Sequence, residues 1–392
     1  MMIRADRTAK EGRIRVCILA PSLRLLGGQS RQAAYLLETL FHEPALKMSF
    51  IPHDPILPGV LRRLQGVKYV RTIVTTAMYL ALLAVRLPRV DVVHAFSASY
   101  YSYLLSVLPA ILFARVYHKQ VVLNYRSGEA EDHLKRWRLT AAPTMRLATA
   151  IVVPSDYLAD VFARFGLVAH PLANILDLSL FRFRQRTPLR PVFLCTRLLE
   201  PLYNVGCVLR AFAAIQKRYP EASLTIAGDG SMRSELEQLS LDLGLQRTEF
   251  IGKVPYEAMP RLYDAADVYL NGNTIDNAPA SIIESFASGL PVVSTDAGGI
   301  PYILTHEETG LMVKCDDHEA MAASAMRLLE NGALASRLAR NARAWVEGAF
   351  SQVAVRQQWL SLYERLSGEQ RTRNHPVDGE RTCEGIAEEG AR

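Results

Sequence analysis

Residues Asp276 to Pro301 read DNAPASIIESFASGLPVVSTDAGGIP, and this stretch decides the fold. A helix is predicted from Ser281 to Ser288, because Gly289 stands where a helix would end. The valine-rich run from Pro291 to Thr295 predicts a buried strand, and a glycine pair after it predicts a tight loop. Such a helix–strand unit is typical of a parallel α/β domain.

The same unit recurs on both sides of a basic segment, residues 181–190, which is predicted to be a linker. In the first half, strands are predicted at Arg13 to Ala20, Asp91 to Phe96, Gln120 to Asn124, Ala150 to Pro154 and Leu172 to Leu176. In the second half, they are predicted at Val192 to Cys195, Ala222 to Ala227, Glu249 to Gly252, Asp267 to Asn271 and Pro291 to Thr295. Helical segments lie between them, so we expect two doubly wound α/β domains facing each other across a cleft.

The domain boundaries follow from these breaks in the pattern. One domain is predicted over residues 13–185 and a second over 190–350. A helix is predicted over 351–366, and a charged stretch with few apolar residues predicts a disordered tail over 367–392.

Composition and charge restrict the class of protein. The chain has 392 residues, of which 49% are hydrophobic and 21% charged, enough for two globular cores. Its net charge of +6 suits phosphate-bearing partners. We expect no nucleic acid partner, because no basic stripe is interleaved with aromatic residues. Five cysteines without paired spacing favour a reducing compartment, and the N-terminus has no hydrophobic signal region, so we expect a cytoplasmic protein.

Two apolar stretches bear on membranes. The run from Val92 to Ala114 is interpreted as strand, loop and buried helix rather than as a span. The run from Thr72 to Val85 is too short to span, and arginines lie on both sides of it. Two interpretations remain for this second run: a core helix with solvated ends, or a helix that contacts anionic lipid from the cytoplasmic face.

Two carboxylates, Asp276 and Glu284, bracket the start of the predicted helix that begins near Ala280. Free amides at a helix start carry partial positive charge and can hold a diphosphate, while carboxylates accept hydrogen bonds from sugar hydroxyls. The alternative is a capped helix with a surface glutamate. Gly27 and Gly28 lie between the first strand and its helix, where they allow either a tight turn or close approach to a phosphate or a sugar hydroxyl.

From Ile282 to Gly299 the sequence resembles glycosyltransferase family 4, retaining enzymes of the GT-B fold with two Rossmann-like domains. The resemblance extends over about residues 13–366 and includes Gly228-Asp-Gly230 and the Gly27-Gly28 loop. It implies that the first domain takes the acceptor, the second binds the nucleotide-sugar, and the helix over 351–366 crosses back to the first domain.

The resemblance also implies roles for individual residues. Glu284 would hold the ribose hydroxyls, Asp276 would contact sugar hydroxyls, and Arg197 would bind the donor diphosphate. The segment between the two carboxylates would complete the donor site; its candidates are Asn277, Ala278, Ala280 and Ser281.

The chain also departs from the family pattern. No lysine lies in the segment Glu200 to Asn204, where the family has one, and Asp276 is shorter than the family's glutamate. Pro279 has no amide hydrogen to donate. Arg126 lies near the position of the family's acceptor-side histidine, and three acids follow it at Glu129, Glu131 and Asp132. His94 lies at a predicted strand end. A lone histidine at such a position is more often a core or rim residue with hydrogen-bond partners than a catalytic group.

The resemblance predicts transfer of a sugar from a UDP- or GDP-sugar, with retention, to a glycan, lipid-linked or small-molecule acceptor. Arg197, Asp276 and Arg126 are the predicted catalytic residues, and no metal or other cofactor is expected because no ligand cluster is visible. Two alternatives stay open: a non-catalytic sugar-nucleotide-binding subunit of a glycan-assembly complex, and a sugar-nucleotide epimerase on the same fold.

Overall fold

The structure is a computed structural model that describes residues 12–23, 28–57, 59–350 and 352–374. It contains two six-stranded parallel sheets. The first has the order β2-β1-β3-β4-β5-β6, and its strands are Ile14–Ala20 (β1), Leu46–Pro52 (β2), Val92–Ser97 (β3), Gln120–Tyr125 (β4), Ala150–Val153 (β5) and Ala169–Pro171 (β6). The second has the order β12-β11-β10-β7-β8-β9, and its strands are Val192–Cys195 (β7), Ser223–Ala227 (β8), Thr248–Gly252 (β9), Val268–Asn271 (β10), Val292–Thr295 (β11) and Leu311–Val313 (β12).

Helices connect the strands. Those of the first domain are Gly28–Phe41 (α1), Lys68–Arg86 (α2), Leu108–Val116 (α3), Ala130–Arg136 (α4), Ala141–Met145 (α5) and Asp156–Arg164 (α6). Those that follow are Val205–Arg218 (α7), Arg233–Asp242 (α8), Met259–Ala265 (α9), Ala280–Ala287 (α10), His318–Glu330 (α11), Gly332–Ala349 (α12) and Gln352–Asn374 (α13). A helical segment over Tyr100–Ser102 and Tyr103–Val107 leads into α3.

The predicted fold class is confirmed. In each sheet the strand order reverses next to the first strand of that domain, between β1 and β3 and between β7 and β10. Ligands of doubly wound domains bind at the carboxyl ends of the strands beside such a reversal. Residues that follow these strands are therefore placed to form a site.

Helix α13 packs on the first domain although it follows the second in sequence. Its buried side chains include Trp359 and Tyr363, and they share a core with Val16, Phe96 and Val122 of the first sheet. The helix continues to Asn374, so the tail predicted from residue 367 begins inside it, and residues 375–392 lie outside the described residues.

Three details of the strand predictions were wrong. The strand predicted at Leu172 to Leu176 is Ala169–Pro171 instead, and Leu46–Pro52 and Leu311–Val313 were missed. The first of these two carries a lysine and the second has three residues, so neither forms a long apolar run.

The basic linker is packed rather than free. Arg186 is 4% exposed and donates to the carbonyl oxygens of Tyr263, Ala266 and Ser288 at 2.7–2.8 Å. Arg184 and Arg190 pair with the buried Asp267 at 2.7 and 2.9 Å. These arginines satisfy carbonyl oxygens and a buried carboxylate of the second domain, which explains a basic run without an apolar period.

Candidate active site

A cavity of about 910 Å³ lies between the carboxyl ends of the two sheets. The first domain contributes Arg31 and Arg126 to its wall, and the second contributes Arg197 and the segment from Ile275 to Ala280. Guanidinium groups therefore face the cavity from both domains, as a dianionic ligand would require.

Arg197 follows β7 and meets the residues of the motif helix. It pairs with Asp276, and its Nη1 donates to the hydroxyl of Ser281 at 3.1 Å. Its guanidinium lies 4.2 Å from the centre of the Tyr203 ring, and its Nε is buried without a partner among the described residues. Burial lowers the pKa of Arg197, and the Asp276 carboxylate raises it. The net shift is upward, so the guanidinium is held as a cation.

The loop that carries Asp276 is fixed on several sides. Asn273 donates to one carboxylate oxygen at 2.7 Å, and the amide of Asn277 donates to the other at 2.8 Å. The amide of Gly299 donates to the Asp276 carbonyl at 2.7 Å, and a Cβ on Gly299 would lie 1.9 Å from the Asn277 oxygen. The second glycine pair of the motif is thus explained by this close backbone approach.

The start of α10 lies at the cavity. Pro279 is its N-cap and makes no side-chain cap bond, and Asn277, Ala278 and Ala280 line the cavity with it. Ser281 does not line the cavity, but its hydroxyl accepts the hydrogen bond from Arg197. Of the predicted glycines, Gly27 lies outside the described residues and Gly28 begins α1.

Glu284 lies deeper than the sequence suggested. Its carboxylate is 5% exposed, is not on the cavity wall and accepts a hydrogen bond from the hydroxyl of Tyr263 at 2.7 Å. Burial raises its pKa to about 7, against the opposing effects of Tyr263 and Arg31. A carboxylate in this setting changes charge near neutral pH.

Arg126 approaches from the other domain without an ion-pair partner among the described residues. Its Nε donates to Asn124 at 2.8 Å, and its Nη1 is buried with no partner in the described part of the chain. Burial lowers the pKa of Arg126 to about 9, because no carboxylate compensates the cation. The guanidinium therefore lacks a counter-ion within the described ranges. An anionic ligand bound in the cavity would supply one.

Two of the three acids after Arg126 are engaged elsewhere. Glu131 pairs with Lys135 at 2.7 Å, and Asp132 pairs with Arg136 at 2.9 Å and accepts from the hydroxyl of Tyr100. They are therefore not its counter-ions.

Arg31 and Tyr203 are among the cavity residues that the sequence analysis missed. Arg31 lies in the first turns of α1 and stacks across the domain boundary on Tyr256, 3.8 Å from the ring centre. Tyr203 lies under Arg197. A cation in the helix after the first glycine pair could have signalled Arg31, whereas the position of Tyr203 depends on the left-handed turn at Asn204.

His94 has partners on both ring nitrogens and is fully buried. It belongs to the core beneath the site rather than to the cavity wall. Within the described ranges, no group of three or more His, Cys, Asp or Glu side chains is arranged to hold a metal ion.

Comparison with known proteins agrees with this geometry. Residues 181–345 match the family model described as glycosyl transferases group 1. A GDP-mannose-dependent alpha-(1-6)-phosphatidylinositol monomannoside mannosyltransferase of Mycolicibacterium smegmatis is 28% identical over 202 residues, 49% of this chain and 52% of the relative. The lipopolysaccharide core biosynthesis glycosyltransferase LpsE of Rhizobium meliloti is 33% identical over 147 residues, 37% of this chain and 42% of the relative. The chain thus spans about half the length of the curated relatives it matches.

Solved structures resemble the chain over both domains. HepE of Anabaena, in complex with UDP and glucose, has a TM-score of 0.68 at 17% identity, covering 90% of this chain and all of that one. Sucrose-phosphate synthase of Thermosynechococcus elongatus has a TM-score of 0.67 at 19% identity, covering 91% of this chain and all of that one. At these identities the likeness shows the fold, which is GT-B.

Proposed function

We propose, on the premise that residues 181–345 match the glycosyl transferases group 1 and that the chain has the GT-B fold, that this protein is a retaining hexosyltransferase. It takes a nucleoside diphosphate sugar as donor. The observation that carries the proposal is the cavity with arginines from both domains facing the start of α10. Such an arrangement suits a diphosphate leaving group between two walls.

In this mechanism the residues of the chain stabilise charge rather than attack. As the bond to the sugar breaks, negative charge grows on the diphosphate, and the departing phosphate can accept the proton of the acceptor. Arg197, Arg126 and the amides at the start of α10 are placed to meet that charge. Where a phosphate oxygen replaces Asp276 on Arg197, the Asp276 carboxylate is freed for sugar hydroxyls.

Donor and acceptor are proposed at the level of class. One curated relative is named GDP-mannose-dependent, and one structural neighbour is solved with UDP-glucose. We therefore propose a UDP- or GDP-hexose as donor. Names that refer to phosphatidylinositol mannosides and lipopolysaccharide core support a glycan or lipid-linked acceptor, and a small molecule is the remaining class.

A screen of UDP- and GDP-sugars for hydrolysis and transfer tests this function. We expect turnover of one donor, retained in EDTA because no metal ligand set is found among the described residues. Loss of activity in EDTA that a divalent ion restores would contradict the metal-free mechanism. Tight binding of a nucleotide-sugar without turnover would instead indicate a non-catalytic subunit.

We also propose that the first domain rests on an anionic membrane through α2. Residues Tyr69 to Arg89 are long and apolar enough to cross a membrane, by length and composition only, and 17% of the tested window is buried. Tyr79 and Leu83 pack into the domain core, so the helix stays attached to the domain while Ile73, which is 70% exposed, faces outward. These contacts favour a helix that lies along the surface rather than across it.

The proposed location is the cytoplasm, at the inner membrane face. Arg71 and Arg86 are exposed on α2 and can meet acidic head groups. Cys17, Cys195, Cys207 and Cys315 are free thiols, which suits a reducing compartment.

A further inference from the structure

The Arg126 side chain, which lines the cavity, is held by a series of buried hydrogen bonds. We call this series, from Arg126 through Asn124 and His94 to Tyr363, the hydrogen-bond relay. The Nε of Arg126 donates to the Oδ1 of Asn124 at 2.8 Å. The Nδ2 of Asn124 contacts the Nε2 of His94 at 2.8 Å, and the Nδ1 of His94 contacts the hydroxyl of Tyr363 at 2.6 Å. Three elements are joined in this way: β4, β3 and the C-terminal helix α13.

The direction of this hydrogen-bond relay is fixed by its cationic end. A guanidinium has only donors, so the Asn124 oxygen must face Arg126 and the amide nitrogen must face His94. The Nε2 of His94 must then accept, and its Nδ1 must carry the hydrogen that it donates to Tyr363. The ring therefore has one allowed tautomer.

Packing holds each member in place. His94 stacks against Phe96 and Trp359, with ring centres 5.1 and 4.6 Å away. His94, Asn124 and Tyr363 are fully buried. Burial and the nearby Arg126 cation lower the pKa of His94, so the ring stays neutral, as the hydrogen-bond pattern requires.

At the cavity end of these hydrogen bonds, one donor lacks a partner in the described part of the chain. The Nη1 of Arg126 is buried without one among the described residues, and Arg126 lines the cavity. A buried donor without a partner costs free energy, and an anionic ligand oxygen would remove that cost.

We infer that Tyr363, His94 and Asn124 are positioning residues that orient Arg126 toward the donor diphosphate, so that the C-terminal helix helps to build the donor site of the second domain. The inference rests on the proposed function. Tyr363 contacts no substrate in this arrangement and acts through His94 and Asn124. Removing its hydroxyl leaves the Nδ1–H of His94 without an acceptor, so the ring loses one of the two hydrogen bonds that hold it, and through it Asn124 and Arg126, in place.

The first test uses UDP and GDP binding by calorimetry in a double-mutant cycle of Tyr363→Phe and Arg126→Ala. We expect Tyr363→Phe to weaken binding about 3- to 10-fold in the wild-type background and to have no effect when Arg126 is alanine. An equal loss in both backgrounds, or no loss in either, would overturn the inference. Tyr79→Phe is the matched control, because it removes another buried hydroxyl of the same domain, one that donates to Ser106 at 2.9 Å.

The second test needs no ligand. Long-range ¹H–¹⁵N NMR of the histidine rings should find His94 in the Nδ1–H tautomer. In Asn124→Asp, an ionised carboxylate cannot donate, so His94 should change to the Nε2–H tautomer. A wild-type ring in the Nε2–H form would overturn the relay.

The two tests separate the relay from the function it serves. If the wild-type protein binds neither UDP nor GDP, the proposed function fails and the role in donor binding fails with it, while the NMR experiment still decides the hydrogen-bond relay. If nucleotide binds and Tyr363→Phe leaves the affinity unchanged, only the relay fails.

Discussion

At the residue scale, Arg197 is predicted to contribute most to stabilising the negative charge on the donor diphosphate. The lysine typical of the resembled family is absent from Glu200 to Asn204, and Pro279 offers no amide hydrogen. Asn204 instead adopts a left-handed turn and donates to Asp316 at 2.5 Å. Among the second-domain residues that line the cavity, Arg197 is the cation that would meet a leaving diphosphate under the proposed function.

We predict that Arg197→Lys and Arg197→Ala lower turnover more than donor affinity. The lysine keeps the charge but loses the forked contact, and the interaction strengthens as the sugar departs. Loss of one such contact should cost about 2–4 kcal/mol of transition-state stabilisation. Steady-state kinetics with a single donor measures it, and Arg261→Ala, at an exposed arginine of the same domain, is the control. Near-normal turnover of Arg197→Ala would assign the diphosphate to another group.

Glu284 gives a second prediction at this scale, on nucleotide binding. If its carboxylate receives the ribose hydroxyls, Glu284→Gln should weaken UDP or GDP binding by about 1–3 kcal/mol. Calorimetry with Glu257→Gln, an exposed carboxylate of the same domain, as control measures the difference. Unchanged affinity would remove Glu284 from the site.

The burial of Glu284 also predicts a pH dependence of stability. Its pKa is raised from 4.5 to about 7 in the folded state, so the native protein holds a proton that the unfolded chain has released. Its contribution to stability is fully present below pH 4.5 and is lost as pH rises through about 7. Denaturant titrations should show the free energy of unfolding of Glu284→Gln rising relative to that of the wild type by on the order of 3 kcal/mol over this window. A constant difference across pH would contradict the raised pKa.

At the element scale, α2 is the helix whose environment the sequence left open. One face packs on the core through Tyr79 and Leu83, while Tyr69, Ile73 and Val85 are exposed. An exposed apolar face on an attached helix needs a partner surface, and the arginines along it favour an acidic one.

We predict that Ile73→Glu reduces binding to vesicles that contain anionic lipid and leaves donor hydrolysis unchanged. Burial of one isoleucine contributes about 1.5–3 kcal/mol to binding. The affinity for the vesicles, measured by sedimentation, should therefore fall about tenfold or more. Leu241→Glu, at a 73% exposed leucine in α8, is the control. Equal sedimentation of the wild type with neutral and anionic vesicles at low salt would speak against the proposed contact.

At the scale of the whole molecule, the chain crosses between domains twice and the site depends on both crossings. Tyr302 of the second domain donates to Asp160 of the first at 2.7 Å, and Arg31 stacks on Tyr256. The last helix then returns to the first domain through Trp359.

We predict that Trp359→Ala destabilises the first domain by about 3–5 kcal/mol, although Trp359 follows the second domain in sequence. Hydrogen exchange should show lost protection over residues 14–171 and retained protection over 192–346. Trp345→Ala is the control, because Trp345 packs against Phe286 in the second domain. Loss of protection confined to the second domain would show that the cores are not divided in this way.

The sequence by itself determined the alternation of strands and helices, the two domains and the motif from Asp276 to Pro301. These features are local: a buried parallel strand needs a continuous apolar run, and a helix end beside a ligand needs small residues. The family resemblance, rather than the motif alone, predicted that Arg197, Asp276 and the start of α10 lie together. The strands Leu46–Pro52 and Leu311–Val313 were missed because they lack such a run.

Only the tertiary structure decided the depth of Glu284, the missing counter-ion of Arg126 and the partners of His94. Each depends on residues far apart in the chain, as when Tyr363 meets His94 across 269 positions. Burial and pairing set the charge state of a side chain, and both arise from long-range packing that local patterns do not encode.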